Sequence, residues 1–243
     1  MGGQACILYG AAEFSRDVDV AVAVSPANLD RLRAALADLH AEPVLFPPLD
    51  AGALRRGHAC HFRCQAPGLH GVRVDVMSVF RGAAPFARLW ARRGRLRLPG
   101  IGLVAVMSLP DLVVVKKTQR DKDWPMIRRL VEADVAAAPR RPPSGRVAFW
   151  LRECRTPDLL VTLARQHPTA ARREAQRRPA VRAALRSDPA RVERELGREQ
   201  AGERERDRRY WRPLRRELER WRRERAGGAG TDHATAEPVP GNP

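Results

Sequence analysis

Residues 17–24 read DVDVAVAV. An acid alternating with valine, followed by small and β-branched apolar residues, predicts a strand. Val18 and Val20 take one face of it and Asp17 and Asp19 the other. Pro26 and Asn28 close the strand, and Leu29, Leu32, Leu36 and Leu39 then recur at helical spacing. Residues 58–64 (HACHFRC) and 72–77 (VRVDVM) predict two more short strands, and Pro67 and Gly68 between them predict a hairpin. Residues 101–107 (IGLVAVM) predict another strand. Ser108 then leads into a helix that carries Pro110 in its first turn and continues through DLVVVKKTQ. A further helix is expected over about 123–136, with Asp123 as its cap.

The PRRPPSG stretch, Pro139 to Gly145, reads as a linker. WLREC and PDLLVTLARQH beyond it look helical. From Arg172 to Arg225 the chain is mostly Arg, Glu and Ala, and Pro179, Pro189 and Pro213 are expected to cut it into short helices. Tyr210, Trp211, Leu214, Leu218 and Trp221 give the last of these an apolar stripe for docking. The fold class is thus α/β (α+β), a mixed sheet with flanking helices followed by an arginine-rich helical extension. Its expected divisions are a domain over 1–138, a linker over 139–145, a basic helical region over 146–225 and a disordered tail over 226–243.

Composition narrows the classes. The 243 residues contain no apolar run long enough for a transmembrane helix and no secretory signal at the start. Four cysteines, at 6, 60, 64 and 154, do not make a disulfide scaffold. A cytoplasmic protein with no membrane partner is the expectation. Net charge is +17: residues 1–139 hold 19 Lys and Arg against 13 Asp and Glu, and residues 140–243 hold 26 against 15. That surface attracts polyanions. The dominance of arginine together with Ala, Gly and Pro also fits a biased coding composition.

Asp17 and Asp19, two residues apart in a strand, leave the same face and repel each other unless a cation lies between them. Mg²⁺ takes hard oxygen ligands and usually adds phosphate oxygens from its substrate. Asp75 in VRVDVM, with Arg73 on its face and Val74 and Val76 on the other, supplies a third acid in the metal-bridging or general-base position. The bland alternative is three strand-end acids facing water.

The stretch GGQACILYGAAEFSRDVDVAV, Gly2 to Val22, resembles the opening motif of the nucleotidyltransferase superfamily, in which a Gly-Gly or Gly-Ser pair precedes an Asp-x-Asp strand and a later strand adds a third Asp. VRVDVM, SLPDLVVVKKTQRDKDW and the helix after it also resemble the bacterial group of minimal nucleotidyltransferases and abortive-infection nucleotidyltransferase toxins. The likeness covers roughly residues 1–137 and implies a nucleotidyltransferase-like fold. It implies Asp17, Asp19 and Asp75 as catalytic and metal-binding residues, Mg²⁺ as cofactor, and a nucleoside triphosphate such as ATP as donor. Gly2 and Gly3 would form the phosphate turn, with Ser15 and Arg16 near the phosphate oxygens and Lys116 or Lys117 reaching phosphate or base. Asp123 and Trp124 would fix the following helix. Position 3 is Gly where characterised members carry Ser. The helix and strand that precede the glycine pair in the family do not precede it here. The expectation is a start assigned too late rather than a truncated, inactive protein, because all three acids are present.

His58, Cys60 and Cys64 share one strand face and His61 takes the other, so the four do not converge on zinc, and packing is the expected role. His61 and Arg63 share a face that would lie near the acids. The C-terminal arginines are read three ways: a lid or structural element, a solvated surface laced with glutamate pairs, or a site for RNA. The expected function is Mg²⁺-dependent transfer of a nucleoside monophosphate to a hydroxyl on RNA, protein or a small molecule. The alternative is a degenerate relative acting as an RNA- or protein-binding module.

Overall fold

The computed structural model describes residues 1–44 and 46–228, with side chains to Arg225. The chain is a mixed α and β structure with one small four-stranded sheet. Strands β1 (Asp17–Ala21), β2 (Glu42–Pro43), β3 (Cys60–Arg63) and β4 (Arg73–Met77) lie in the order β1-β4-β3-β2. β1 runs parallel to β4, and the other pairs are antiparallel. The expected β3–β4 hairpin is present, closed by Cys64 N–H on the Val72 carbonyl (2.8 Å) and Gly71 N–H on the Cys64 carbonyl (2.9 Å). Pro43, which cannot donate to a ladder, sits on an edge strand.

Strand parity sorts the sheet. Val18, Val20, Val74, Val76, Cys60 and Phe62 meet on one face with Leu29 and Leu36 of helix α2 (Pro26–Asp38) and Leu54 of α3 (Ala51–Arg56). Pro26 opens α2 after Ser25, where its missing N–H is harmless. The Asp50 side chain caps α3 by accepting from Ala53 N–H at 2.6 Å.

A second, larger core begins with α1 (Gly2–Leu8), which packs on β1, and continues through α4 (Phe86–Ala91), α5 (Leu109–Lys116) and α6 (Asp123–Ala136). Between α4 and α5 stands a separate hairpin, β5 (Gly94–Leu98) with β6 (Gly102–Val106). The Ser108 side chain caps α5, and Pro110 sits in its first turn as expected. Asp123 does not cap α6; Lys122 holds the cap position. The Asp123 carboxylate, being buried, instead accepts from Thr118, Lys116 and Arg120 and ties down the turn before the helix.

The same core runs on past residues 139–145. Leu130 and Val131 of α6 join Trp150 and Leu151 of α7 (Ser144–Glu153), Leu160 and Leu163 of α8 (Pro157–Gln166), and Ala171 of α9 (Pro168–Ala175). Val181 of α10 (Pro179–Ala184) and Val192 of α11 (Pro189–Gly228) complete it. Pro179 and Pro189 open helices, as expected. Pro213 does not end one, because α11 continues through it as 40 helical residues. An interior proline loses one hydrogen bond and crowds the preceding turn, at a cost of about 3 kcal/mol. Docking on both sides of it offsets that cost. Before it, Asp207 is buried and paired with Arg81 (3.1 Å). Leu214 is buried, Glu217 pairs with His58 (2.8 Å) and Arg56 (3.1 Å), and Trp221 packs on the His58 ring. Most of the expected tail, from residue 229 on, lies outside the described residues. Among them no helix is long and apolar enough to cross a membrane.

Candidate active site

The face of β1 and β4 opposite the valines carries the acids. Asp17 is in register with Arg73 and Asp19 with Asp75, and His61 of β3 is opposite Asp75. Registered residues of neighbouring strands project to the same side, so five polar groups gather on one half-covered face. Arg73 Nη2 donates to both oxygens of Asp75 (3.1 and 3.0 Å), and its Nε lies 4.0 Å from Asp17 Oδ1. His61 Nδ1 pairs with Asp75 Oδ1 at 2.8 Å. Asp17 is the most open of the acids, its side chain 42 % exposed against 14 % for Asp75.

The glycine pair is not a turn before a helix, as expected, but the first two residues of α1, and it meets this face. Gly2 has a φ of +67°, and a Cβ there would fall 1.7 Å from Asp19 Oδ2. Both the backbone and the close approach therefore require glycine. The N–H of Gly3 points at the same oxygen (3.4 Å). A Cβ on Gly3 would fall 2.2 Å from Ser15 Oγ. The Ser15 hydroxyl thus fills the place that a side chain at position 3 would need, and it donates to the Asp17 carbonyl at 3.0 Å.

The electrostatics of the acids diverge. Burial, and then the charge of Asp75, push the Asp19 carboxyl up; the Gly3 N–H, Lys116 and the Met1 ammonium, which donates to the Asp19 carbonyl (2.7 Å), only partly oppose this. Burial pushes Asp75 up as well, but His61 and Arg73 outweigh it and leave Asp75 below the ordinary value. Asp19 is therefore the carboxylate with an unmet demand for positive charge.

The other sequence-predicted residues separate. Lys116 reaches the neighbourhood of Asp19 while its Nζ lies 3.3 Å from Asp123. Lys117 turns to Glu153 of α7 (2.7 Å), an ion pair within the helical layer. Arg16 is exposed, its guanidinium 5.9 Å over the Phe14 ring. His58, Cys60 and Cys64 are buried, all four cysteines are free, and His58 faces Trp221.

Three carboxylates on one sheet face are the right kind of donor for Mg²⁺. Among the described residues, however, no three His, Cys, Asp or Glu side chains are arranged to hold a metal ion. Arg73 has taken up the oxygens of Asp75. Mg²⁺ commonly binds through one or two carboxylates and completes its shell with water and substrate phosphates, so Asp17 and Asp19 fit the ion without a finished protein cage. Parity alone makes the shared face of Asp75 and Arg73 legible in the sequence; His61 opposite Asp75, and the choice of Asp75 by both partners, need the strand register. No protein-family model matches this chain, and no curated protein matches it.

Proposed function

We propose that the chain is a nucleotidyltransferase-like enzyme that moves a nucleoside monophosphate from a nucleoside triphosphate to a hydroxyl acceptor. The observation that supports this reading is the register of Asp19 with Asp75, with Asp17 on the same face and the glycine pair closed against Asp19. Asp17 and Asp19 would hold Mg²⁺, which supplies charge compensation for the transferring phosphoryl group and acidifies the attacking hydroxyl. Asp75, kept ionised by Arg73 and His61, orients the acceptor hydroxyl and takes its proton. The acceptor oxygen forms a bond to the α-phosphorus, and the bond from that phosphorus to the pyrophosphate oxygen breaks. Lys116 on α5 is the group assigned to phosphate oxygens, with the glycine pair and Ser15 shaping the approach to Asp19.

Incubation with Mg²⁺, each labelled nucleoside triphosphate and fractions of cellular RNA, protein and metabolites tests the proposal. Label should enter one fraction with wild-type protein and be absent with Asp17→Asn or Asp19→Asn. No transfer from folded wild-type protein, with any nucleotide or fraction, contradicts it.

A second reading is a catalytically silent relative that binds RNA or protein. Its motivating observation is Arg73, which neutralises Asp75 and stands 4.0 Å from Asp17, as an internal cation would. Under that reading Arg73→Ala destabilises the fold and gains no affinity for Mn²⁺. Under the enzyme reading the same change exposes Asp75 and tightens Mn²⁺ binding.

A further inference from the structure

Between Asp75 and Asp111 the chain has no carboxylate and six arginines, at 81, 88, 92, 93, 95 and 97. Arg81 is neutralised by Glu203 and Asp207, and Arg92 by Asp111. Arg88, Arg93, Arg95 and Arg97 have no carboxylate partner among the described residues. They belong to one local unit, α4 followed by the β5–β6 hairpin. In the hairpin Leu96 and Val104 pack inward, while Arg95 and Arg97 face outward opposite Ala105 and Leu103. Leu103 is 59 % exposed and Ile101, in the turn, 75 %. Trp90, at the end of α4, is 49 % exposed. The guanidinium of Arg93 lies 3.9 Å over its ring, and the Phe86 ring lies nearly parallel, 5.9 Å away. An Nη1 bond from Arg93 to the Trp90 carbonyl (2.6 Å) holds this stack in place.

We infer that the α4–β5–β6 unit is a binding surface for a single-stranded polynucleotide. Arginines without carboxylate partners, with an exposed aromatic stack and exposed apolar side chains on the same stretch of chain, match the two demands of that ligand, phosphate charge and base faces. A duplex hides the faces of its bases, so the stack favours a single strand. Helix α11 is a poorer candidate despite its charge. Among the described residues no large apolar side chain of α11 is exposed as Trp90, Ile101 and Leu103 are, and its Trp221 is packed on His58. The inference is independent of whether the acids catalyse.

The test is the full chain titrated with labelled oligouridylate at several salt concentrations, then with the oligouridylate–oligoadenylate duplex and with phosphatidylserine vesicles. The single strand should bind tightest and quench tryptophan fluorescence. Trp90→Leu should remove most of the quench and weaken binding by about tenfold. Arg95→Gln with Arg97→Gln should flatten the salt slope by about 0.7 per arginine. Arg212→Gln with Arg216→Gln on α11 removes the same charge and should have a much smaller effect. Should Trp90→Leu fail to fold, the outward-facing arginine pair decides alone. Absence of binding, equal losses from the α11 variant, or a preference for duplex or vesicles that depends on Trp90 would overturn the inference.

Discussion

Asp19 is the residue at which stability and chemistry part company. Its carboxyl is raised by burial and by Asp75, so its charge costs folding energy at neutral pH. That cost fades as the pH falls through its elevated pKa. Asp75 has the opposite sign, because its depressed pKa means its pairing stabilises the fold above the ordinary aspartate value and is lost as the pH falls through the depressed one. Asp19→Asn is therefore expected to raise the melting temperature at neutral pH, with the gain shrinking towards acid pH. Asp75→Asn should lower the melting temperature at neutral pH and leave Arg73 without its partner. Thermal melts of both variants across the acid range check the signs, and an Asp19→Asn variant less stable than wild type at neutral pH would refute the electrostatic account. Ser15 makes a second residue-scale claim. Gly3→Ser alone meets the Ser15 hydroxyl and should destabilise, whereas Gly3→Ser with Ser15→Gly should recover about 1 kcal/mol of coupling energy in a double-mutant cycle.

At the scale of elements, local signals and tertiary packing compete, and α11 is where packing wins. Pro213 reads as a helix end on its own propensity, yet Leu214 beside it and Glu217 and Trp221 one and two turns later are docked, so the helix is retained. Pro213→Ala should then raise stability by about 1–3 kcal/mol, and no gain in denaturant melts would mean the helix is interrupted there. β1 and β4 were legible because alternation of acid and valine leaves one arrangement with a buried face. The helix after Ser108 was legible because Pro110 suits a first helical turn. β5 was not, since GRLRL has arginines where strand patterns lead one to expect β-branched residues, and its pairing with β6 supplies what propensity does not. Asp123 was read as a cap from its position alone. It is a buried acid with three donors, which only the folded turn reveals.

The molecule as a whole is held together across the proline-rich stretch by a shared core, and beyond that stretch Arg178 ties the helices to one another. This buried guanidinium donates to the carbonyls of Leu151 (2.7 Å) and Cys154 (2.8 Å) and to Glu199 of α11 (3.0 Å). Arg178→Met leaves two carbonyls without a donor and Glu199 with Arg155 alone. A loss of about 2–4 kcal/mol is expected in chemical denaturation, and a neutral effect would mean the helices are held by apolar packing alone. The acid face lies against the start of α1, whose other residues enter that same core, so loosening the helical layer should also loosen the glycine pair over Asp19. The candidate site was legible as three residue types on one face. What the sequence left open was the company they keep, Arg73 and His61 on Asp75 and the Gly3 N–H on the Asp19 carboxylate, because side-chain partners depend on register and burial. The most direct test of the central claim is calorimetric titration of the intact chain with a non-hydrolysable nucleoside triphosphate, with Mg²⁺ and with EDTA. Binding that requires Mg²⁺ and vanishes in Asp19→Asn is the predicted result. Binding of equal strength in EDTA or in Asp19→Asn would contradict the assignment of this face as a metal–nucleotide site.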